Sequence, residues 1–319
     1  MKKAIIIVAA VLVTLGIAVL VAAFALNGFK FMKFDNSELI TETFSVDDAF
    51  TNIEVASNVA DVVFERSEDG KCRVVCVERE QRKFEVKVEN GTLKVRQEES
   101  KNWFANFTFF SFKSTSVTVY LPAESYDSLK VETDTGDITV PKDFSFGSAG
   151  IQSDTGDVTL ECPVSGLLKV KTSTGDIKIS GITAGELDLK ASTGRITVVS
   201  VACAGRFAVS VSTGKTVLTS LTCKDLVSNG STGTLTLTDV IASGRFDIER
   251  DTGDVKFDRC DAAEIKVKTD TGDVTGTLLT EKVFITKTDT GKVSVPSAAS
   301  GGRCEIETDT GDIKISIAQ

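Results

Sequence analysis

The stretch IKVKTDTGDVTG, residues 265–276, decides the fold of this 319-residue chain. Ile265 and Val267 alternate with lysines up to Thr271-Gly272, and Val274 resumes the alternation on the other side. Two period-two runs therefore meet at a glycine, and period two is the mark of a strand with one buried face. The Thr-Gly pair recurs ten times, with its glycines at Gly136, Gly156, Gly175, Gly194, Gly214, Gly233, Gly253, Gly272, Gly291 and Gly311. Every step is 19 or 20 residues, and a fixed period of that length signifies stacked supersecondary units.

Aligned on the glycine, apolar residues fall seven and five positions before it and two, four and usually seven after it; around Gly194 these are Leu187, Leu189, Ile196, Val198 and Val201. A second bend in each unit often carries another glycine, such as Gly166, Gly185, Gly205 or Gly244. One unit cannot hide five apolar side chains: burying each stabilises by roughly 1.5–3 kcal/mol, while ordering costs about 1–2 kcal/mol per residue. Stacking is obligatory. The repeat predicts an all-β fold, a parallel β-solenoid whose right-handed coiling follows the common hand of parallel crossovers. About 12 turns of 19–20 residues are expected, counting two degenerate turns ahead of the regular array. The first holds Ile53, Val55, Val62 and Phe64 with Ala60 in the glycine slot, and the second holds Phe84, Val86, Gly91, Leu93 and Val95. The corner threonine shares the parity of the apolar positions before it, which predicts an inward hydroxyl ladder, with the neighbouring aspartates bonding local backbone amides.

Residues 4–26, AIIIVAAVLVTLGIAVLVAAFAL, are free of charge. As a helix they would run ~35 Å, enough for a bilayer core of ~30 Å. Lys2 and Lys3 precede them, which favours a single-pass N-terminal signal anchor over residues 1–30 in a bacterial cell membrane, the C-terminal domain extracytoplasmic. Cleavage as a signal peptide near Ala23 and Ala25 is the competing reading. The remaining organisation is a juxtamembrane linker at 31–43, degenerate turns with an aromatic insert at 44–128, and the regular array at 129–319.

Once the four lysines of the first 34 residues are set aside, 32 basic groups face 45 acidic ones, a net of −13 on the outer domain. Such a surface repels nucleic acid. The insert NWFANFTFFSF, residues 102–112, places Trp103, Phe104, Phe107, Phe109 and Phe110 close together, either as a cap on the solenoid or as a contact for a partner or the membrane. Seven cysteines occur without a CxxC pair; Cys203 and Cys223 each stand nine residues past a corner glycine in adjacent turns, within disulfide range.

Asp-Thr-Gly occurs six times, but an aspartic protease needs two such carboxylates face to face, and stacked copies run along one edge. Asp251, Asp254, Asp270 and Asp273 form the best adjacent set for a calcium ion, against the plainer reading that the aspartates cap turns. The chain has no histidine, which removes the commonest general base and metal ligand. No catalytic residue and no cofactor are expected.

The run SVTVYLPAESYDSLKVETDTGDITV, residues 116–140, followed by repeated GDI and GDV corners, resembles the bacterial putative-adhesin family, a LiaG-like domain of unknown function. The resemblance implies a β-solenoid, commonly on a membrane anchor and facing the envelope exterior, with no catalytic residues to carry over. Four corners depart from its pattern, with Arg195, Lys215, Thr234 and Lys292 in place of the Asp that follows the glycine. The expected function is a non-catalytic surface scaffold or binding module for an envelope protein or polymer. The alternatives are a regulatory accessory protein acting through membrane partners and a polysaccharide-cleaving β-helix enzyme. The last repeat runs to Ile317 with no polar cap, so either an upstream segment folds over its edge or the domain associates end to end.

Overall fold

The computed structural model describes residues 39–79, 83–98 and 115–318. The expected anchor and the insert carrying Trp103, Phe104, Phe107, Phe109 and Phe110 lie outside the described residues. Among the described residues, no helix is long and apolar enough to cross a membrane.

What they form is an all-β parallel solenoid of about ten turns. In the Gly136 turn, the strand Ser125–Thr135 bends at the glycine into Ile138–Val140; in the next, Ser145–Thr155 bends at Gly156 into Val158–Leu160. The two lie parallel and in register, Val131 on Ile151 and Ile138 on Val158. Repetition turns the apolar pattern into columns. Ile138, Val158, Ile177, Ile196, Leu235, Val255, Val274 and Ile313 are each fully buried at the position two past the glycine. All ten corner glycines have φ between 132° and 159°, a region closed to most side chains. Six residues past five successive corners, Gly181, Ser200, Ser220, Asp239 and Arg259 also take positive φ, 49–66°, and turn the chain at the second bend.

At the N-terminal end, Asn52–Val59 and Asp61–Arg66 make a turn cornered at Ala60 and stacked on the Gly136 turn, Ile53 on Leu129 and Val62 on Ile138. The second expected degenerate turn is a different structure. Phe84–Glu89 and Thr92–Gln97 pair antiparallel around Asn90 and Gly91, whose φ values are 51° and 71°. This is a two-residue hairpin of the Asn-Gly kind, and it lowers the turn count from the expected twelve. Hairpins and solenoid corners share period-two alternation, so the pattern alone does not separate them. Thr92–Gln97 and Ser116–Leu121 then lie against the outer side of the Ala60 turn. Cys72–Arg79 and Leu39–Val46 extend that end further as antiparallel strands.

On the hairpin, Lys94 and Lys87 bond the Glu89 carboxylate at 2.8 and 2.9 Å. These bonds hold its pKa down at about 2. The folded value lies below the unfolded one of about 4.3, so the interaction is complete above that pH and fades as pH falls towards 2. Carboxyl-carbon NMR is expected to show Glu89 still ionised at pH 3, and Lys94→Met to return it towards the ordinary glutamate range.

The C-terminal end inverts the order of the repeats. Gly302–Thr310 and Ile313–Ile317, the last turn in sequence, insert between the Gly272 turn and the Gly291 turn: Val267 pairs with Ile306 on one side, and Thr286 pairs with Ile306 on the other. Lys282–Thr290 and Val293–Ser294 thus form the outermost layer, and the upstream segment does fold over the last repeat. The inward sets explain the order. Cys304, Ile306, Ile313 and Ile315 are almost wholly buried in the inner slot, whereas the outer layer presents Phe284, Thr286 and Thr288. Covering the isoleucine-rich repeat on both sides removes more apolar surface from water.

All seven cysteines are buried and free, including Cys203 and Cys223 in adjacent turns. Burial pushes the Cys162, Cys223 and Cys304 thiols up to about 12, so they pack as small apolar groups.

Candidate binding surface

The corner edge is built from three residues per turn. The glycine brings its carbonyl against the turn beside it, and the residue three before it points into the core: Thr133, Ser153, Thr172, Thr269 and Thr308 are buried there. Ser153 Oγ and Thr172 Oγ1 donate to the glycine carbonyls of the preceding turns, Gly136 and Gly156, each at 3.3 Å. A hydroxyl ladder therefore exists, but not on the expected threonine. Thr135, Thr155, Thr174 and their equivalents are exposed. The ladder skips one residue between Thr133 and Thr135, so the chain bends before the glycine and parity reverses. The carbonyls of those threonines instead accept the neighbouring glycine amides, as in Gly136 N to Thr155 O at 2.9 Å.

The aspartates after the glycines cap one another's turns. Asp61 accepts from the Asp137 amide, Asp137 from Asp157, Asp157 from Asp176 and Asp176 from Arg195, at 2.7–2.9 Å. The ladder stops where Arg195, Lys215 and Thr234 supply no carboxylate. It resumes through Asp254, Asp273 and Asp312 and ends on the Lys292 amide at 2.8 Å. Lys292 stands in the outermost layer, with no further turn to cap among the described residues, which accounts for the missing aspartate there. Asp157→Ala is expected to cost about 1 kcal/mol in urea unfolding by freeing the Asp176 amide, and Asp157→Asn to recover most of it.

Asp254 and Asp273 are thereby occupied by amides, and Asp254 also meets Lys256 at 3.1 Å. Asp251 and Asp270 stand two positions before their glycines on the exposed rim. Among the described residues, no three histidine, cysteine, aspartate or glutamate groups gather as a metal site.

The broadest surface is the outer face of the long strands. Side chains six and four positions before each glycine stand in register across successive turns: Lys169 and Lys171, Asp188 and Lys190, Ala208 and Ser210, Val227 and Asn229, Asp247 and Glu249. The two middle rows are short and uncharged, so the face sinks into a groove of about 340 Å³, walled by Leu167, Glu186, Asp188, Lys190 and Arg206. Sequence periodicity places all these residues outward. What it leaves out is the depression, which comes from short side chains aligned between longer ones.

These features define a repetitive β-solenoid that carries its chemistry as ladders on an edge and a face. The chain belongs to the Toastrack DUF4097 family, whose profile matches residues 50–212 and 204–319. Two solved structures share the fold. A putative adhesin from Parabacteroides merdae is 14% identical with a TM-score of 0.50, over 76% of this chain and 97% of that one. A putative lipid binding protein from Parabacteroides distasonis is 18% identical with a TM-score of 0.51, over 76% of this chain and 98% of that one. No curated protein matches the sequence.

Proposed function

We propose that this protein is a non-catalytic binding scaffold, held outside a bacterial cell membrane by residues 4–26 and presenting the long-strand face to an envelope protein or polymer. The observation that carries this reading is the groove over Ala208, Ser210 and Val227, an uncharged depression between the row of Asp188 and Lys190 on one side and that of Asp247 and Glu249 on the other. An extended ligand gains contact there without desolvating a charge at the groove floor. The family and the adhesin-like neighbour agree with a scaffold, and the lack of histidine leaves acid–base catalysis poorly supplied.

The test is retention of isolated bacterial envelope on beads bearing the full chain. Ala208→Arg with Val227→Arg fills the groove from outward positions and is expected to lower retention about tenfold without changing the melting temperature. Unchanged retention, or release of soluble sugar from the bound envelope, overturns the reading.

A further inference from the structure

Among the described residues, the outermost strand at the C-terminal end, Lys282–Thr290, is paired on one side only, with Gly302–Thr310. Its other edge offers a row of backbone donors and acceptors with no strand against it among the described residues. Edge strands in stable monomers normally protect that row with charge. The hairpin edge at the opposite end does so, with Glu85, Lys87 and Glu89 in mutual ion pairs. Here the charged outward residues, Lys287 and Asp289, stand only in the second half of the strand, where Lys287 bonds Glu307 at 3.0 Å; the first half presents Val283 and Ile285, and Ile285 is 49% exposed. Of eight large apolar side chains that stand exposed among the described residues, three belong to this end layer: Val283, Ile285 and Val293.

The sequence of this edge is self-complementary. In an antiparallel pairing of residues 281–287 with a second copy, centred on Phe284, Val283 falls opposite Ile285 of the other copy. Phe284 meets its own equivalent on the inward side, and Glu281 stands opposite Lys287, whose ammonium also bonds Glu307 of its own chain at 3.0 Å. Apolar residues meet apolar, and each end of the paired segment brings an acid against a base. Both contacts repeat by the two-fold axis, as an isologous interface requires. The layer behind the strand is firm: Lys282 is buried and held by Asp261 at 2.6 Å, so the edge is presented by a packed element.

We propose that the C-terminal end of the solenoid is a homophilic docking surface, which joins a second copy of this chain edge to edge about Phe284. The pairing places the two N-terminal ends, marked by the outermost strand Leu39–Val46, at opposite tips of a solenoid of doubled length. With both chains anchored as proposed above, the dimer spans two facing membranes; this consequence rests on that anchored reading, while the pairing itself does not.

Sedimentation of the full chain in detergent tests the pairing. A dimer is expected, with Ile285→Lys weakening it at least about tenfold. Glu281→Lys and Lys287→Glu are each expected to weaken it, because each sets like charges together, and the double variant Glu281→Lys/Lys287→Glu to restore it. The double variant carries every internal change of the two singles, so restoration reports contact between copies and not folding. A chain that stays monomeric at all concentrations overturns the proposal, as does a dimer indifferent to both Ile285→Lys and the charge exchange. Liposomes bearing the full chain are expected to cluster; liposomes that stay dispersed while the detergent dimer persists refute the anchored, two-membrane arrangement alone.

Discussion

Gly214→Ala is expected to destabilise the protein by more than about 4 kcal/mol, enough to split the solenoid at its centre. The glycine has φ 149°, where an L side chain is strained, and an added Cβ would overlap the carbonyl oxygen of Gly194, far inside contact distance. The obstacle is the backbone of Gly194 and not a side chain that could swing away. Relief would mean separating two turns whose strands are paired on either side of the corner, with Val209 on Leu189 and Leu218 on Val198. Each repeat is held chiefly by its neighbours, so a parted interface divides the array into two shorter stacks. Circular dichroism during urea unfolding should show two transitions or none cooperative. Gly150→Ala is the control, because Gly150 has no atom within 4 Å of an added Cβ and lies in an extended strand. It is expected to be neutral or slightly stabilising. Equal effects from the two would remove the argument that close approach of backbones selects these glycines.

Phe246→Ala is expected to cost about 3–5 kcal/mol. Phe246 is fully buried and lies parallel to Phe257, with ring centroids 6.3 Å apart. It also stacks in its column between Leu226 and Ile265. A solenoid core is one residue deep per turn, and the strands above and below hold their spacing through backbone hydrogen bonds. The cavity therefore cannot close by collapse, which puts the cost towards the upper part of the range. Phe246→Leu keeps most of the volume and should lose less than half as much. The check is the midpoint of chemical unfolding; an alanine cost under about 1 kcal/mol would mean that the turns can slide to fill the space.

The regular array was legible because its signal is redundant. The Gly194 unit has Leu187, Leu189, Ile196, Val198 and Val201 at its apolar positions, and all five are buried. Ten such units leave little freedom in register, since a one-residue slip would expose every one of them. Parity points the corner threonine inward, whereas the skip between Thr133 and Thr135 breaks the alternation over a single residue and turns it out. Nothing in the spacing records that skip. The aspartate ladder was half legible. Residue type pointed to capping, but the recipient amide belongs to the adjacent turn, some 19 or 20 residues away in sequence.

One interior detail had no signal at all. Arg250 occupies an inward position, and its guanidinium fills the space left by Gly230 in the adjacent turn while donating to Ser228 Oγ at 2.6 Å. Desolvation holds its pKa at about 10, well below the usual arginine range. Glycine and serine at those two places read separately as ordinary strand substitutions; only stacking makes them one accommodation.

By itself the sequence determined that the chain coils, how long each turn is and which apolar residues of the regular array face inward, because a period of 19 or 20 repeated ten times admits one way of burying five apolar side chains per unit. It did not determine the order in which the end turns stack. The Gly272, Gly291 and Gly311 turns have compatible spacing and could follow one another in sequence, yet the last inserts before the second. Tertiary structure decided that contest because near-equivalent repeats compete for the inner slot, and the one with Cys304, Ile306, Ile313 and Ile315 gains most from cover on both sides. That choice leaves Val283 and Ile285 on the open edge, where the proposed second copy would meet them.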